Sequence, residues 1–303
     1  MRKNPREVAE GVLFLRTMVA NVYMVRTATS WVLVDAGLPG YAPAIRHAAE
    51  AFVGSAAPPA AIVLTHGHFD HVGSLEALLE QWPVPVLAHW LEAPYLTGQS
   101  KYPPPDPLVG RGGLSLLSRL YPRGPIDISA HLRLLPEGGG VPELDGWRSV
   151  HTPGHAPGHI SLFRDRDRTL IAGDAVTTVK QESMLAVAMQ RRDLHGPPAY
   201  FTSDWQSAGE SVGRLAALQP DLLATGHGDP LRGTVMRAEL RNLAAHFEDE
   251  QVPTIGRYAR HPAITNERGI VSLPPDPLPK LAAGLAVAAG LACTIAVQRR
   301  RAS

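Results

Sequence analysis

Cysteine is almost missing from this 303-residue chain: Cys293 is the only one. No intrachain disulfide can form, which fits a reducing compartment, and the expected location is the cytoplasm. A lone thiol so near the C-terminus is no candidate nucleophile either. Net charge is nearly missing as well. Lys and Arg number 29 against 28 Asp and Glu, a balance of +1 at pH 7, so no global field draws the chain to nucleic acid or to an acidic partner. A basic patch or an RNA-binding arm is not visible, and no nucleic-acid partner is expected. The stretch Met1 to Glu10 is charged and lacks the apolar core of a secretory signal.

What the chain does have is histidine, concentrated in one place. Thr65-His66-Gly67-His68-Phe69-Asp70-His71 puts four metal-ligating side chains within six residues. Before it runs an apolar strand pattern, Ala61-Ile62-Val63-Leu64; after it, Val72, Leu75, Leu78, Leu79 and Trp82 recur with helical period. The ligands therefore sit on a strand-to-helix turn at the carboxyl end of a strand, where α/β folds place their sites. Imidazole plus carboxylate without thiolate suits zinc, with iron or manganese also admissible.

The stretch resembles the signature of the metallo-β-lactamase fold superfamily, and four further segments follow its order. They are Val32-Leu33-Val34-Asp35-Ala36-Gly37, His151-Thr152-Pro153-Gly154-His155-Ala156-Pro157-Gly158-His159, Ala172-Gly173-Asp174-Ala175 and Thr225-Gly226-His227-Gly228. The resemblance spans about residues 11–233. It implies an α/β chain folded as a four-layer αββα sandwich with the metal site between the two sheets. It also implies two zinc ions per chain: His66, His68 and His155 on one, Asp70, His71 and His227 on the other, with Asp174 bridging. Asp35, at a strand end, is expected to hold a ligand imidazole. The tight Pro-Gly bends leave His155 at the tip of its loop, so His151 and His159 are read as orienting or structural groups. The other histidines, His89 among them, are read as surface or packing residues.

Strands are expected at Gly11–Arg16, Asn21–Arg26, Trp31–Asp35, Val84–Ala88, Trp147–His151, Ile160–Arg164, Thr169–Ala172 and Leu222–Ala224, and helices from Tyr41 to Phe52 and onward from Trp205. Two irregular stretches interrupt this alternation. Leu91–Ile128 is proline-rich and reads as a lid or substrate wall, with Tyr95, Lys101 and Tyr102 as contact candidates. Thr177–Tyr200, carrying Met184, Met189, Arg191 and Arg192, reads as the opposite wall. Three parts are expected: a catalytic domain over 1–250, a proline-rich extension over 251–280 and an apolar C-terminal helix with a basic tail over 281–303. Leu281–Val297 is seventeen residues without a charge, at the lower edge for a membrane span and rich in alanine, so 281–301 is expected to associate with a membrane interface or a partner.

The chemistry follows from the metals. Two close cations bring the pKa of a shared water toward neutrality and supply hydroxide, while one of them polarises a carbonyl. Metal-assisted cleavage of a thioester, ester or lactone in a small-molecule substrate is the expected reaction, with His66, His68 and Asp70 at its centre and Asp70 also a proton shuttle. The Arg and Lys cluster of glyoxalase II is not found, although Arg237 and Arg241 follow His227 on a helix. Thr177 stands near where acyl-homoserine lactonases carry a tyrosine. Zinc β-lactamases with a cysteine ligand are excluded. The rival readings are a mononuclear iron dioxygenase similar to the persulfide dioxygenases, and a non-catalytic, membrane-associated binding module.

Overall fold

A computed structural model describes residues 5–278. The residues up to Leu273 form one compact unit, and Pro274–Leu278 lie outside it. The helix and basic tail expected over 281–303, and any membrane contact made there, lie outside the described residues. Among the described residues no helix is long and apolar enough to cross a membrane.

The first sheet has seven strands in sequence order: β1 (Arg6–Ala9), β2 (Val12–Thr17), β3 (Ala20–Arg26), β4 (Trp31–Val34), β5 (Ala61–Val63), β6 (Val86–Ala88) and β7 (Leu132–Leu134). Strands β1 to β4 form an antiparallel meander, whereas β4 to β7 are parallel. The parallel pairs need crossovers, supplied by α1 (Ala42–Val53), then α2 (Phe69–Val72) and α3 (Leu75–Leu79), then α4 (Ala93–Leu96) and α5 (Gly113–Leu117). The second sheet has the order β12-β11-β10-β9-β8, built from β8 (Trp147–His151), β9 (Ile160–Arg164), β10 (Thr169–Ile171), β11 (Leu222–Ala224) and β12 (Leu231–Arg232). Helices α6 (Met184–Met189), α7 (Trp205–Ala217), α8 (Gly233–Ala245) and α9 (Phe247–Gln251) and a small hairpin, β13 (Ile264–Asn266) with β14 (Gly269–Ser272), complete the unit.

Strand periodicity makes the layers. On β2, Val12 and Phe14 point between the sheets while Leu13 and Leu15 point to the outer helices; on β4, Val32 and Val34 divide from Trp31 and Leu33 in the same way. Across the middle layer Val12, Phe14, Tyr23 and Val63 meet Trp147, Ile160, Leu162 and Ile171. Ile45 of α1 and Leu78 of α3 cover the first sheet, and Trp205, Val212 and Leu215 of α7 with Met236 and Leu240 of α8 cover the second. The result is the four-layer αββα sandwich, and because both faces of its central strands are buried, those strands read as unbroken apolar runs.

Three features depart from expectation. Strand β1 occupies part of the charged N-terminal stretch. Residues 252–273 pack onto the body: Tyr258 is buried, its hydroxyl donates to Pro104 O at 2.7 Å, and Ala263 N–H donates to Ser203 O at 3.0 Å. The compact unit thus runs past the boundary expected at residue 250. The first irregular stretch is anchored as well: Leu96 and Ile128 are buried in the core between the first sheet and its helices, and Ile128 N–H donates to Leu96 O at 2.9 Å, so residues 93–97 are part of the body and not a lid.

Candidate metal centre

The seven residues implied as ligands converge from four loops at one end of the sandwich. Their donor atoms form three overlapping groups, each within 4.8 Å: His66, His68 and His155; His66, His71 and Asp174; Asp70, His71 and His227. Asp174 Oδ2 stands at the crossing, 3.5 Å from His155 Nε2, 3.5 Å from His71 Nε2 and 3.0 Å from His227 Nε2. His227 Nε2 is also 3.4 Å from Asp70 Oδ2. On the other side, His68 Nδ1 faces His155 Nε2 at 2.9 Å.

The far nitrogens show which tautomers the fold imposes, because backbone groups have a fixed donor direction. His227 Nδ1–H donates to Val19 O at 2.9 Å, leaving Nε2 for the centre. His71 Nδ1–H donates to Asp35 Oδ2 at 2.9 Å. Asp35 also accepts from Thr65 N–H at 2.7 Å and Thr65 Oγ1–H at 2.8 Å. With its proton committed, Thr65 Oγ1 accepts from His66 Nδ1 at 3.1 Å. So His66, His71 and His227 all present Nε2. Asp35 touches His71 and both donors of Thr65.

His159 sits behind the centre. It accepts the Asp174 backbone N–H on Nε2 at 2.9 Å and bonds Thr152 Oγ1 through Nδ1 at 2.8 Å. Because a backbone N–H can only donate, His159 is neutral with its proton on Nδ1. It fixes the loop that carries Asp174. His151 lies further out, bonding Pro157 O at 2.9 Å and stacking on His89 at 4.1 Å. Two glycines make room: a Cβ at Gly226 would stand 2.0 Å from Asp174 Oδ1, and one at Gly173, where φ is +53°, 2.6 Å from His159 Nε2.

The donor set suits a divalent cation. The Nε2 atoms of His66 and His71 and Oδ1 of Asp174 are buried without a hydrogen-bond partner, an arrangement that costs about 1–3 kcal/mol per atom unless something binds them. Burial holds the imidazoles of His66, His68 and His159 well below their usual range and pushes His155 down to about 4, so at neutral pH their lone pairs are free of protons. Burial acts the same way on His71 and His227, yet the Asp174 carboxylate overcomes it and raises both. That negative potential is what would hold a cation.

Sequence reading missed the group beneath this centre. Glu92 follows β6 and is fully buried, accepting Gly67 N–H at 2.9 Å and Gly158 N–H at 2.8 Å. Gly67 lies between His66 and His68, and Gly158 lies in the loop of His155, so one carboxylate ties two ligand loops together. Tyr102 Oη–H also donates to Glu92 Oε2. The Tyr102 ring lies 4.4 Å from the His68 ring and 4.0 Å from Tyr95. Tyr95 and Tyr102, expected as substrate contacts, are buried supports for His68 instead. No motif marks Glu92; only its position after a short strand could have drawn notice. Phe201 also stacks on His68, at 4.6 Å. A cavity of about 570 Å³ lined by Trp205, Phe247 and Tyr258 includes none of the seven residues.

A sandwich of two sheets with histidine and aspartate loops converging at one end defines a class of metal-dependent proteins. This chain belongs to the metallo-beta-lactamase superfamily, whose model matches residues 15–227. It is 51% identical over 241 residues to the probable metallo-hydrolase YflN of Bacillus subtilis (strain 168), covering 78% of this chain and 91% of that one. A beta-lactamase domain protein from Burkholderia ambifaria superposes with a TM-score of 0.54 at 27% identity, over 82% of this chain and 74% of that one. An archaeal metallo-beta-lactamase superfamily protein, ST1585 from Sulfolobus tokodaii, shares the fold with a TM-score of 0.53 at 20% identity, over 78% and 84%. With this fold and these clusters the chain uses divalent metal.

Proposed function

We propose that the chain is a metal-dependent hydrolase that holds two zinc ions and cleaves a thioester, ester or lactone of a small molecule. The observation that carries this reading is the Asp174 carboxylate shared between His155 on one side and His71 with His227 on the other. Such sharing suits one carboxylate bridging two cations. His66, His68 and His155 would hold one cation, Asp70, His71 and His227 the other. When bound, the pair supplies an activated water at neutral pH and a Lewis acid for the carbonyl oxygen.

The chain's own residues do the rest. Phe201 lies 4.6 Å from the His68 ring and 6.5 Å from the His155 ring, with Phe69 6.4 Å from it, and these apolar rings would limit the water that reaches that side of the centre. Asp70 is the most exposed of the seven, with 13% of its side chain accessible against 3% for Asp174. Its carboxylate can take the proton of the attacking water and return it to the leaving group. In balance, the carbon–heteroatom bond breaks, a carbon–oxygen bond to water forms, and one water proton ends on the leaving heteroatom.

Metal analysis of protein purified without added metal tests the reading. Two zinc ions per chain, with acyl hydrolysis lost on chelation and restored by zinc, is the expected result. One iron per chain with oxygen uptake would overturn it.

A further inference from the structure

Tyr200 brings to the metal centre a hydroxyl that the fold does not use. It lies with Phe201 in the core under the second sheet's helices, and Phe69 and Tyr121 pack against that core. The Tyr200 ring meets Tyr121 edge-on at 5.7 Å, and Tyr121 stands 5.6 Å from Phe69, the neighbour of Asp70. Its backbone is pinned on both sides. Tyr200 O accepts from Asp106 N–H at 2.8 Å, and Ala199 N–H donates to the buried Glu182 carboxylate at 2.7 Å. The ring is buried and its position is set by the fold.

The hydroxyl itself is free. Neighbouring hydroxyls are committed: Tyr121 donates to Leu114 O at 3.2 Å, Thr177 to Gly196 O at 3.3 Å, Thr178 to Asp229 O at 2.8 Å and Thr225 to His227 O at 2.7 Å. Among the described residues Tyr200 Oη has no hydrogen-bond partner, yet it is not one of the enclosed atoms without a partner, as Tyr95 Oη is. A buried tyrosine ordinarily finds a partner for its O–H, so this one is left for a molecule that enters from solvent. Of the charges acting on the phenol, the Asp70 carboxylate is the strongest, followed by Glu182, and Asp174 contributes as well. Burial and these carboxylates hold the phenol well above its ordinary range, so it remains an O–H donor at any working pH.

We propose that the Tyr200 hydroxyl holds the leaving heteroatom of the substrate, donating a hydrogen bond to it beside Asp70. This role rests on the hydrolase reading, in which Asp70 returns the proton of the attacking water to that atom. Tyr200 and Asp70 then share the side on which the heteroatom departs. No bond to Tyr200 forms or breaks. The carbon–heteroatom bond breaks, the heteroatom leaves with the proton carried by Asp70, and the phenol eases the negative charge that builds on it before that proton arrives.

Two measurements on metal-loaded full-length protein test this, one with turnover and one without. Tyr200→Phe removes a hydroxyl that no described residue binds, so its unfolding midpoint and metal content should match wild type. Acyl esters whose leaving alcohols run from p-nitrophenol to ethanol should then divide. The variant's kcat should fall about 100-fold for the ethyl ester and less than about threefold for the p-nitrophenyl ester, whose leaving group needs little help. In calorimetry, phenyl methylphosphonate carries an ester oxygen at the leaving position and dimethylphosphinate does not. The first should bind Tyr200→Phe about fivefold more weakly than wild type, and the second should bind both alike. A uniform loss across leaving groups, or equal binding of phenyl methylphosphonate by wild type and variant, overturns the proposal. So does the same shift in Tyr121→Phe, because ring packing and not the Tyr200 hydroxyl is then being read. Failure of wild type to turn over any ester sinks the hydrolase reading, and the two anions still decide whether Tyr200 holds the departing position.

Discussion

Replacing Glu92 with glutamine probes whether two ligand loops need a common anchor. The wild-type carboxylate accepts two backbone N–H groups, from Gly67 and Gly158, and one phenol from Tyr102. A glutamine keeps one acceptor oxygen and turns its amide N–H₂ toward a backbone donor, so one buried N–H loses its carboxylate acceptor; Gly67 N–H has a second acceptor in Tyr102 Oη at 2.9 Å, whereas Gly158 N–H is held by Glu92 Oε1. That loss is about 1–3 kcal/mol, and the remaining bonds weaken from charge-assisted to neutral, about 1 kcal/mol more. No longer needing to bury a charge offsets part of this. A net loss of about 2 kcal/mol is expected in urea unfolding of the metal-free protein. If the anchor also sets ligand spacing, zinc affinity measured by chelator competition should fall about 10- to 100-fold, the usual range for residues that orient ligands. The acid side gives an independent check. Burial raises the Glu92 carboxyl above the ordinary glutamate range. The folded protein therefore holds that proton more tightly than the unfolded chain. The stabilisation is complete below the unfolded pKa and fades as pH rises through the folded one. The stability gap between wild type and Glu92→Gln should therefore widen as pH falls toward 4. A variant with unchanged unfolding midpoint and unchanged zinc affinity would refute the anchor.

His66→Ala, His155→Ala and His227→Ala should each lower hydrolysis at least about 1,000-fold, while circular dichroism of the metal-free proteins stays unchanged, because each side chain lies on a loop. Full activity with full metal content in any of them would remove that residue from the ligand set. Asp70→Asn should reduce kcat more than it reduces metal held by His66, His68 and His155; equal losses would leave Asp70 a structural role only. Asp35→Asn turns an amide toward His71 Nδ1–H and should weaken one of two zinc-binding steps about 10- to 100-fold, leaving the other near wild type in a two-step titration.

Much of this was legible because the strands that carry the site are buried on both faces and end in polar turns. Ala61–Leu64 before His66 and Leu170–Ala172 before Asp174 give contrasts that survive without tertiary context. Strand β1 was not legible, since Arg6 and Glu7 lie on an edge strand where charge is tolerated. Strand β7 was hidden for a related reason: Arg133 and Leu134 are exposed at the other edge. The tail of the domain was obscured by its prolines, although Tyr258 buries itself against the second sheet's helices. Among the site residues, those that would touch metal belong to a local pattern, while Glu92 and Val19 act across the fold through hydrogen bonds that no spacing in the chain encodes.

The same distinction explains why the centre can be both buried and ready. Holding six unliganded imidazoles and a carboxylate in a dry site is unfavourable unless their outward atoms are occupied. Here Asp35, Thr65, Thr152 and Val19 occupy those of His71, His66, His159 and His227. The inward Nε2 atoms of His66 and His71 and Oδ1 of Asp174 remain without a partner, and cations can satisfy them together. Val19 belongs to the first sheet's edge turn and His227 to a second-sheet loop, and Asn21 Nδ2 binds Thr225 O at 2.8 Å and Gly228 O at 2.7 Å across the same gap. The spacing of the ligands is therefore set by how the two sheets dock, and a core substitution between them, such as Leu162→Ala, reaches the metal centre through that docking and not through any ligand.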